Sequence, residues 1–253
     1  MSNVKIALVT GGSRGLGKDM ALSLAKKGID VILTYRSQQE EAQAVVGEIE
    51  ATGRKAVALP LDLATLAGLD AFVGEVARAL GTVWNAPGFD YLINNAGMGA
   101  TVPFEQVTEK LFDEFLNVHY KGVYFLTQKL LPHLNEGGSI INISSGTTRF
   151  ANPGYSVYAS MKGAVEVLTK YWAKELGPRG IRCNIVAPGP IETDFNNAGI
   201  RNNPQMKERL SALSPLNRVG NADDIGGVVA FLCTDEARWI NGQRIEVSGG
   251  LNV

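Results

Sequence analysis

Residues 4–17 read VKIALVTGGSRGLG and carry the strongest fold signal in the chain. The first six of these residues are mostly apolar and rich in β-branched side chains, which is typical of a strand buried in a parallel sheet. A cluster of glycines follows, and apolar residues then recur at helical spacing up to Gly28. A strand, a glycine loop and a helix in this order present backbone N–H groups and a helix N-terminus to a phosphate. The stretch therefore predicts a nucleotide-cofactor site.

The glycine spacing across residues 11–17 is G-x-x-x-G-x-G, which differs from the G-x-G-x-x-G of the standard dinucleotide fingerprint. Glycine allows tight turns and lets a ligand approach the backbone closely. The alternative is a flexible turn that binds nothing, but the flanking strand and helix favour the cofactor interpretation. The loop residues expected at the cofactor are Gly11, Ser13, Arg14, Gly15, Leu16 and Gly17.

Strand and helix patterns alternate along almost the whole chain, with no repeat, linker or low-complexity segment between them. This alternation predicts one domain over residues 1–253 with an α/β fold built on one doubly wound parallel sheet. The predicted strands cover residues 4–9, 30–35, 55–61, 89–93, 139–143, 181–187 and 244–247.

Composition excludes several function classes. The net charge is −1 with no basic block, which speaks against a nucleic-acid partner. No apolar run approaches the roughly 18 residues of a membrane span, and no signal peptide is expected. Cys183 and Cys233 form no CxxC motif, and only two histidines accompany them, so no metal site is expected. Reduced, buried thiols in the cytoplasm are the simplest expectation.

The end of the second strand bears on cofactor choice. An acidic residue there would accept hydrogen bonds from a free ribose 2′-hydroxyl, whereas an arginine would pair with a 2′-phosphate. The sequence places Tyr35 at this position, followed by Arg36 and Ser37. Together with Arg14 in the glycine loop, Arg36 favours NADP(H) over NAD(H). The alternative is that both arginines are solvated surface residues.

Polar or small residues follow the other strands as well. Asp62 could accept a hydrogen bond from an adenine amino group or cap the next helix. Ligands of doubly wound sheets bind beyond the carboxyl ends of the strands, so all these residues are expected at one edge. The remaining candidates at this edge are Leu63, Asn95, Ala96, Gly97, Ser144, Ser145, Pro188 and Gly189.

Tyr158 and Lys162 are four residues apart on a predicted helix, so both side chains lie on one face. A free tyrosine keeps its proton up to a pH of about 10. A neighbouring ammonium favours the phenolate and lowers that pKa, which would suit proton transfer near neutral pH. The spacing alone is also compatible with a solvated lysine beside a half-buried tyrosine.

Three segments have less regular patterns. Residues 82–88 are expected to form a loop because Pro87-Gly88 marks a turn. Residues 109–134 are expected to form one long helix or two, with Asn117 packed against something specific and His119 in a structural role. Residues 191–215 lack a clear period, and a loop of this length is usually functional, for example a substrate segment.

The chain resembles the short-chain dehydrogenase/reductase family over nearly its full length. The resemblance implies a Rossmann-type sheet with seven strands and a nicotinamide cofactor. It also implies a homotetramer or homodimer, often formed through the tyrosine helix and the C-terminal strand. The residues that carry it are Thr10-Gly11-x-x-x-Gly15-x-Gly17, Asp62, Asn94-Asn95-Ala96-Gly97, Asn117, Ser145, Tyr158-x-x-x-Lys162 and Pro188-Gly189.

The family implies a role for each catalytic position. Family members usually place the serine 13 residues before the tyrosine, which selects Ser145 over Ser144. Tyr158 would be the general acid or base, while Lys162 would lower its pKa and hold the nicotinamide ribose. Asn117 would support a water-mediated proton relay.

The same resemblance places Ile191 and Thr193 at the carboxamide or phosphates of the cofactor, and residues 194–215 against the substrate.

The implied activity is that of an NADP(H)-dependent oxidoreductase acting on a small carbonyl compound or a secondary alcohol. The chain is similar to 3-oxoacyl-carrier-protein reductases and to ketone and sugar reductases. Carrier-protein reductases often have basic residues before the fifth strand, whereas this chain has Glu136 within residues 135–138, so a carrier-bound substrate is less favoured. The alternative from another class is a cofactor-binding regulatory or structural protein without turnover.

Overall fold

A seven-stranded, fully parallel sheet forms the centre of the computed structural model, which describes residues 4–252. The strand order is β3-β2-β1-β4-β5-β6-β7, so the chain runs outward from β1 in one direction and then from β4 in the other. The neighbouring carboxyl ends of β1 and β4 mark the topological switch point, where doubly wound sheets bind their ligands. The predicted Rossmann-type fold is confirmed.

Most predicted elements lie within one or two residues of their expected bounds. The strands are β1 (Ile6–Val9), β2 (Asp30–Tyr35), β3 (Ala56–Pro60), β4 (Phe89–Asn94), β5 (Leu134–Ile143), β6 (Arg182–Pro188) and β7 (Arg244–Val247). The helices are α1 (Gly15–Lys26), α2 (Gln39–Glu50), α3 (Leu69–Ala79), α4 (Glu109–Leu116), α5 (Gly122–Leu130), α6 (Ser156–Glu175), α7 (Phe195–Ala198), α8 (Pro204–Ala212) and α9 (Asp223–Leu232). Within residues 4–252, no helix combines the length and apolar character needed to cross a membrane.

Both faces of the sheet are covered, which explains why its central strands are mostly apolar. Successive side chains of β1 point to opposite faces, with Ala7 and Val9 toward α1, α2 and α9. Ile6 and Leu8 point toward α3, α5 and α6 on the other face. The core is therefore two apolar layers that hold the strand ends in fixed positions.

A buried polar ladder joins the sheet to the helices of the second layer. Asn94 Nδ2 donates to Asn142 Oδ1 at 2.8 Å and to Thr127 Oγ1 at 3.1 Å. Asn142 Nδ2 in turn donates to Thr169 Oγ1 at 2.8 Å. Buried amides have to be hydrogen-bonded, so this ladder fixes the positions of α5 and α6 against β4 and β5.

The prediction of a loop over residues 82–88 is wrong for its first part. The helix continues beyond α3 as a wide π turn over Leu80–Trp84 and ends at Asn85, which has a left-handed backbone. The Trp84 indole N–H donates to the buried carboxylate of Asp30 at 2.8 Å. This contact draws Trp84 inward and extends the helix.

Residues 109–134 form two helices, one of the two expected arrangements, separated by a π turn over Asn117–Lys121. The predicted end is wrong, because a 3-10 turn with Pro132 follows α5 and Leu134 already belongs to β5. Proline lacks the N–H that would continue the helix.

Residues 191–215 contain the short turn α7 and the helix α8. The residues 196–198, Asn-Asn-Ala, all have positive φ between 52° and 58°. Left-handed backbone costs roughly 1 kcal/mol or more per non-glycine residue, so the surrounding contacts must hold this turn.

Candidate active site

The glycine loop after β1 owes its path to close packing. Gly11 has a φ of +66° and donates its N–H to Thr34 Oγ1 at 3.0 Å. Gly15 also has positive φ, at +54°. A Cβ on Gly17 would lie 2.0 Å from the Gly11 carbonyl oxygen, so only glycine allows α1 to approach the loop this closely.

Asn95 and Thr10 join this loop to the end of β4. Asn95 Nδ2 donates to the carbonyls of Thr10 and Gly11 at 2.9 and 3.2 Å. Thr10 Oγ1 accepts from the backbone N–H groups of Asn95 and Ala96 at 2.9 and 3.0 Å. The predicted residue Asn95 therefore braces the loop with its side chain, while Gly97 is exposed at the same edge.

The start of α1 fits an anionic phosphate. Its N-cap residue Arg14 makes no side-chain cap, and the first turn contains no acidic residue. The first N–H groups of a helix have no partner within it and attract anions. Arg14, Arg36 and Ser37 are exposed and Tyr35 is half-buried at the end of β2. Within residues 4–252 neither guanidinium is paired with a carboxylate. A cofactor with a 2′-phosphate matches this donor set.

The other predicted cofactor residues occupy the same edge in different ways. Asp62 Oδ1 accepts from the Ala64 N–H at 2.9 Å, and its other carboxylate oxygen remains for a ligand. Asp62 caps no helix, because the N-cap residues of the following 3-10 turn and of α3 are Thr65 and Gly68. Leu63 is buried in the core, which leaves only its backbone for a ligand.

The residues after β6 pack closely at the same edge. Gly189 packs against Ser248, and a Cβ added to Gly189 would lie 2.8 Å from Ser248. Thr193 lies against Gly15, because a Cβ added to Gly15 would lie 3.9 Å from the methyl group of Thr193. Pro188 is buried and Ile191 is half-buried beside them.

The helix α6 brings Tyr158 and Lys162 to this edge of the sheet. Lys162 is buried, and its Nζ donates to the Ile143 carbonyl at the end of β5 at 2.7 Å. The same Nζ lies 5.7 Å from the centroid of the Tyr158 ring. The predicted one-face arrangement of the two side chains is therefore present.

The tyrosine pKa moves in the direction opposite to the expectation. Burial raises the pKa of Tyr158 to about 12, the Ser145 hydroxyl opposes the rise, and the nearby Tyr155 phenol adds to it. Burial also lowers the pKa of Lys162 to about 8. Desolvation disfavours the charged form of each group and is the largest cause of both shifts.

The two serines at the end of β5 have different surroundings. Ser144 is buried and its hydroxyl donates to Glu166 Oε1 at 2.5 Å. Ser145 is half-buried, and its Oγ accepts from the N–H and hydroxyl of Thr147 at 3.2 and 3.0 Å. Of the two serine hydroxyls, that of Ser145 is the one that affects the pKa of Tyr158.

A charged cluster behind Ser145 includes Glu166 of α6 and Arg244 of β7. Arg244 Nε donates to Glu166 Oε1 at 2.9 Å, and its Nη2 donates to the Ser145 carbonyl at 3.2 Å. Glu246 accepts from Arg244 and from Arg149 at 3.2 and 2.9 Å. The cluster holds the backbone of Ser145 between α6 and the last strand.

Aromatic rings enclose the tyrosine. The ring centroids of Tyr155 and Phe195 lie 6.4 and 5.9 Å from that of Tyr158. Asn196 donates to the Tyr155 hydroxyl at 3.1 Å and to Thr101 at 3.0 Å, which ties α7 across the site. The region 194–215 therefore approaches Tyr158 through its first residues.

Sequence reasoning missed several residues of this site. Thr34 is a hydroxyl inside an otherwise apolar strand, which is a usable signal. Nothing in the sequence indicates that Glu166 and Arg244 belong to the site, because they are far apart in the chain and meet only where α6 lies near β7. His119, predicted to be structural, lies against Tyr158 with its ring centroid 5.2 Å away.

Known proteins match this chain over nearly its whole length. A family model described as Enoyl-(Acyl carrier protein) reductase matches residues 11–252. The 3-oxoacyl-[acyl-carrier-protein] reductase FabG of Staphylococcus aureus is 38% identical over 253 residues, covering 99% of this chain and 99% of the relative.

Two solved structures have the same fold. A short-chain dehydrogenase from Burkholderia cenocepacia in complex with NADP is 39% identical with a TM-score of 0.90 and covers 98% of each chain. The angucycline C-6 ketoreductase LanV with bound NADP is 37% identical with a TM-score of 0.92, covering 97% of this chain and 95% of that one. With the glycine loop and the Tyr158–Lys162 pair at one sheet edge, these matches mean that the chain belongs to the short-chain dehydrogenase/reductase family.

Proposed function

We propose that this protein is an oxidoreductase that transfers a hydride between NADP(H) and a small carbonyl compound or secondary alcohol. One observation carries the proposal: Ser145, Tyr158 and Lys162 meet at the strand edge that also bears the glycine loop. The family membership and the NADP bound to similar structures support it.

The proposed mechanism follows from charge. When bound, NADPH supplies the hydride in reduction, and NADP⁺ accepts it in the reverse direction. Ser145 and Tyr158 donate hydrogen bonds to the substrate oxygen as negative charge develops there. Tyr158 then gives its proton to this oxygen in reduction, or removes it in oxidation.

Lys162 is proposed to place a positive charge beside the Tyr158 phenol. Since the Lys162 pKa is lowered to about 8, the ammonium is largely present at neutral pH and is lost as the pH rises through that value. The Tyr158 phenol, with its pKa of about 12, holds its proton firmly and suits the reducing direction. A positive nicotinamide adds to the ammonium in the oxidising direction, where the phenolate is needed.

The remaining assignments are proposals of the same kind. Asn117 is proposed to support a proton relay from its place at the start of the π turn. The proposed cofactor-binding residues are Gly11, Ser13, Arg14, Gly15, Leu16, Gly17, Tyr35, Arg36, Ser37, Asp62, Leu63, Asn95, Ala96, Gly97, Tyr158, Lys162, Pro188, Gly189, Ile191 and Thr193.

The test is a substrate panel with NADPH and with NADH: aliphatic and aromatic ketones, aldehydes, reducing sugars and 3-oxoacyl thioesters. We expect oxidation of NADPH with at least one ketone. NADPH binding without turnover of any compound would favour the regulatory alternative instead.

A 3-oxoacyl-carrier-protein substrate is the second candidate, favoured by the Staphylococcus aureus relative. Against it, Glu136, which the structure places in the first residues of β5, is acidic and pairs with Arg179 at 2.7 Å. A preference for a carrier-bound substrate over the free thioester would establish this candidate.

Replacing Arg36 with Asp should change cofactor preference. The exposed guanidinium would no longer pair with the 2′-phosphate, and a carboxylate would repel it. We expect NADPH affinity to fall about tenfold, as for a lost charged hydrogen bond, while NADH affinity stays the same or improves. Fluorescence titration with both cofactors measures this, with Arg238→Asp, at an exposed arginine outside the candidate site, as a surface control. Equal losses for both cofactors would contradict the assignment.

We also propose a homotetramer, or a homodimer, in a reducing compartment such as the cytoplasm. Apolar side chains of α5 and α6 are exposed at Phe125, Val167 and Tyr171, and Trp239 near β7 is 96% exposed. Both cysteines are free and buried. Light scattering should give a multiple of the 27.1 kDa chain mass, and a monomer would contradict the proposal.

A further inference from the structure

The short 3-10 turn over Gly146–Thr148 folds back onto the side chain of Ser145. Ser145 is the N-cap residue of this turn, and its Oγ accepts the backbone N–H of Thr147 at 3.2 Å. The Thr147 hydroxyl lies 3.0 Å from the same oxygen. One threonine therefore contacts Ser145 Oγ twice, once through its backbone and once through its side chain.

The backbone of Ser145 is held in place as well. Its carbonyl oxygen accepts from Arg244 Nη2 at 3.2 Å, and the Thr148 hydroxyl lies 2.9 Å from the same oxygen. With the backbone fixed, only rotation of the short serine side chain can change the direction of its hydroxyl group. The two contacts with Thr147 restrict this rotation.

The direction of the hydrogen bond between the two hydroxyls follows from the surroundings of Ser145. A serine hydroxyl has one proton and two lone pairs. The Ser145 hydroxyl lowers the pKa of Tyr158, as a hydrogen bond does when it is donated to the phenol oxygen, because it favours the phenolate. The single Ser145 proton is therefore directed at Tyr158, and the Thr147 hydroxyl is the donor in its contact with Ser145.

The neighbouring Ser144 has a different arrangement. Its hydroxyl donates to Glu166 Oε1 at 2.5 Å, so its one proton is already bound to a carboxylate. The Ser145 proton instead points to the phenol at which the proposed reaction takes place. A substrate oxygen that binds beside Tyr158 can accept this proton in place of the phenol oxygen.

We propose that Thr147 is a positioning residue for the reaction: its N–H and its hydroxyl occupy both lone pairs of Ser145 Oγ and thereby direct the single Ser145 proton at the substrate oxygen. Accepting two hydrogen bonds also polarises the Ser145 hydroxyl, because linked hydrogen bonds strengthen one another. Ser145 then acts only as a donor, which is what an oxygen that gains negative charge requires. The inference rests on the proposed function, since the donor acts on the substrate of that reaction.

Two substitutions at Thr147 test the role of its hydroxyl. Thr147→Val removes the hydroxyl but keeps the backbone N–H and the branched shape, whereas Thr147→Ser keeps both donors. We expect Thr147→Val to lower kcat about tenfold with little change in KM, as for the loss of one hydrogen bond that acts in the transition state. Thr147→Ser should keep the kcat of the unmodified protein. The matched control is Thr82→Val, since the Thr82 hydroxyl donates to the Arg78 carbonyl at 2.9 Å at an exposed helix end before β4.

A double-mutant cycle shows whether Thr147 acts through Ser145. In a Ser145→Ala background no hydroxyl remains to be directed, so Thr147→Val should cause no further loss of kcat. A purely structural role of Thr147 predicts that the two losses multiply. Multiplied losses, or a Thr147→Val variant with the kcat of the unmodified protein, would overturn the inference.

A titration without substrate separates this inference from the proposed function. The absorbance of Tyr158 is followed against pH in the NADP⁺ complex, with the signal of Tyr158→Phe subtracted. The Ser145 hydrogen bond lowers the tyrosine pKa, so we expect a higher midpoint in Thr147→Val, where this donor is less well directed, than in Thr147→Ser. Identical midpoints would overturn the inference. Different midpoints in a protein that turns over no compound would support the inference and count against the proposed function.

Discussion

Replacing Tyr158 with Phe is expected to lower kcat by about 10²- to 10⁴-fold, the usual contribution of a positioned acid or base. The phenol hydroxyl is the group proposed to deliver the proton to the substrate oxygen. The phenylalanine ring keeps the contacts with Phe195 and Tyr155, so fold and NADPH affinity should change little. Steady-state kinetics with the ketone from the panel and a fluorescence titration with NADPH measure the two quantities.

Tyr171→Phe is the matched control, since it removes a phenol from an exposed position of the same helix. Its kcat should equal that of the unmodified protein. A Tyr158→Phe variant with more than a tenth of the original kcat would remove the proposed role of the phenol.

Replacing Gly17 with Ala should weaken NADPH binding by about 10- to 100-fold. The new methyl group would lie 2.0 Å from the Gly11 carbonyl oxygen and 2.6 Å from Asn95 Nδ2, so α1 must move away from the loop. Overpacking of this kind costs about 1–3 kcal/mol. If this cost falls on the conformation that binds NADPH, it corresponds to the expected loss of affinity. Fluorescence titration and thermal unfolding together show how the cost divides between binding and stability.

Gly47→Ala is the control for this substitution. Gly47 lies exposed in α2, and a Cβ there would meet no atom within 4 Å. Alanine in a helix is favoured over glycine by roughly 0.5–1 kcal/mol, so this variant should unfold at a slightly higher temperature and bind NADPH normally. Normal NADPH binding and stability in Gly17→Ala would show that the loop does not depend on the close approach.

The sequence was most informative where a residue type has one physical reason to occupy its position. Four glycines after a buried strand predicted the loop; the structure places Gly11 and Gly12 in it, while Gly15 and Gly17 lie in the first turn of α1. The polar residues after successive strands predicted one edge, because parallel strands end together. The Tyr158–Lys162 spacing predicted a shared helix face, which the contact of Lys162 with the tyrosine ring confirms.

Features that depend on several elements at once could not be predicted. The π turns at Leu80–Trp84 and Asn117–Lys121 arise from packing against Asp30 and against α6, not from local propensity. The raised pKa of Tyr158 depends on how deeply α6 is buried, and spacing alone cannot report desolvation.

The contact between Arg244 and the Ser145 carbonyl also has a consequence for biosynthesis. These two residues are 99 positions apart, so Arg244 leaves the ribosome several seconds after Ser145 at the usual rate of about 5–20 residues per second. The glycine loop and the first five strands can assemble before then. A nascent chain would therefore acquire its nucleotide-binding edge first, and the serine would be locked in place only when the last strand arrives.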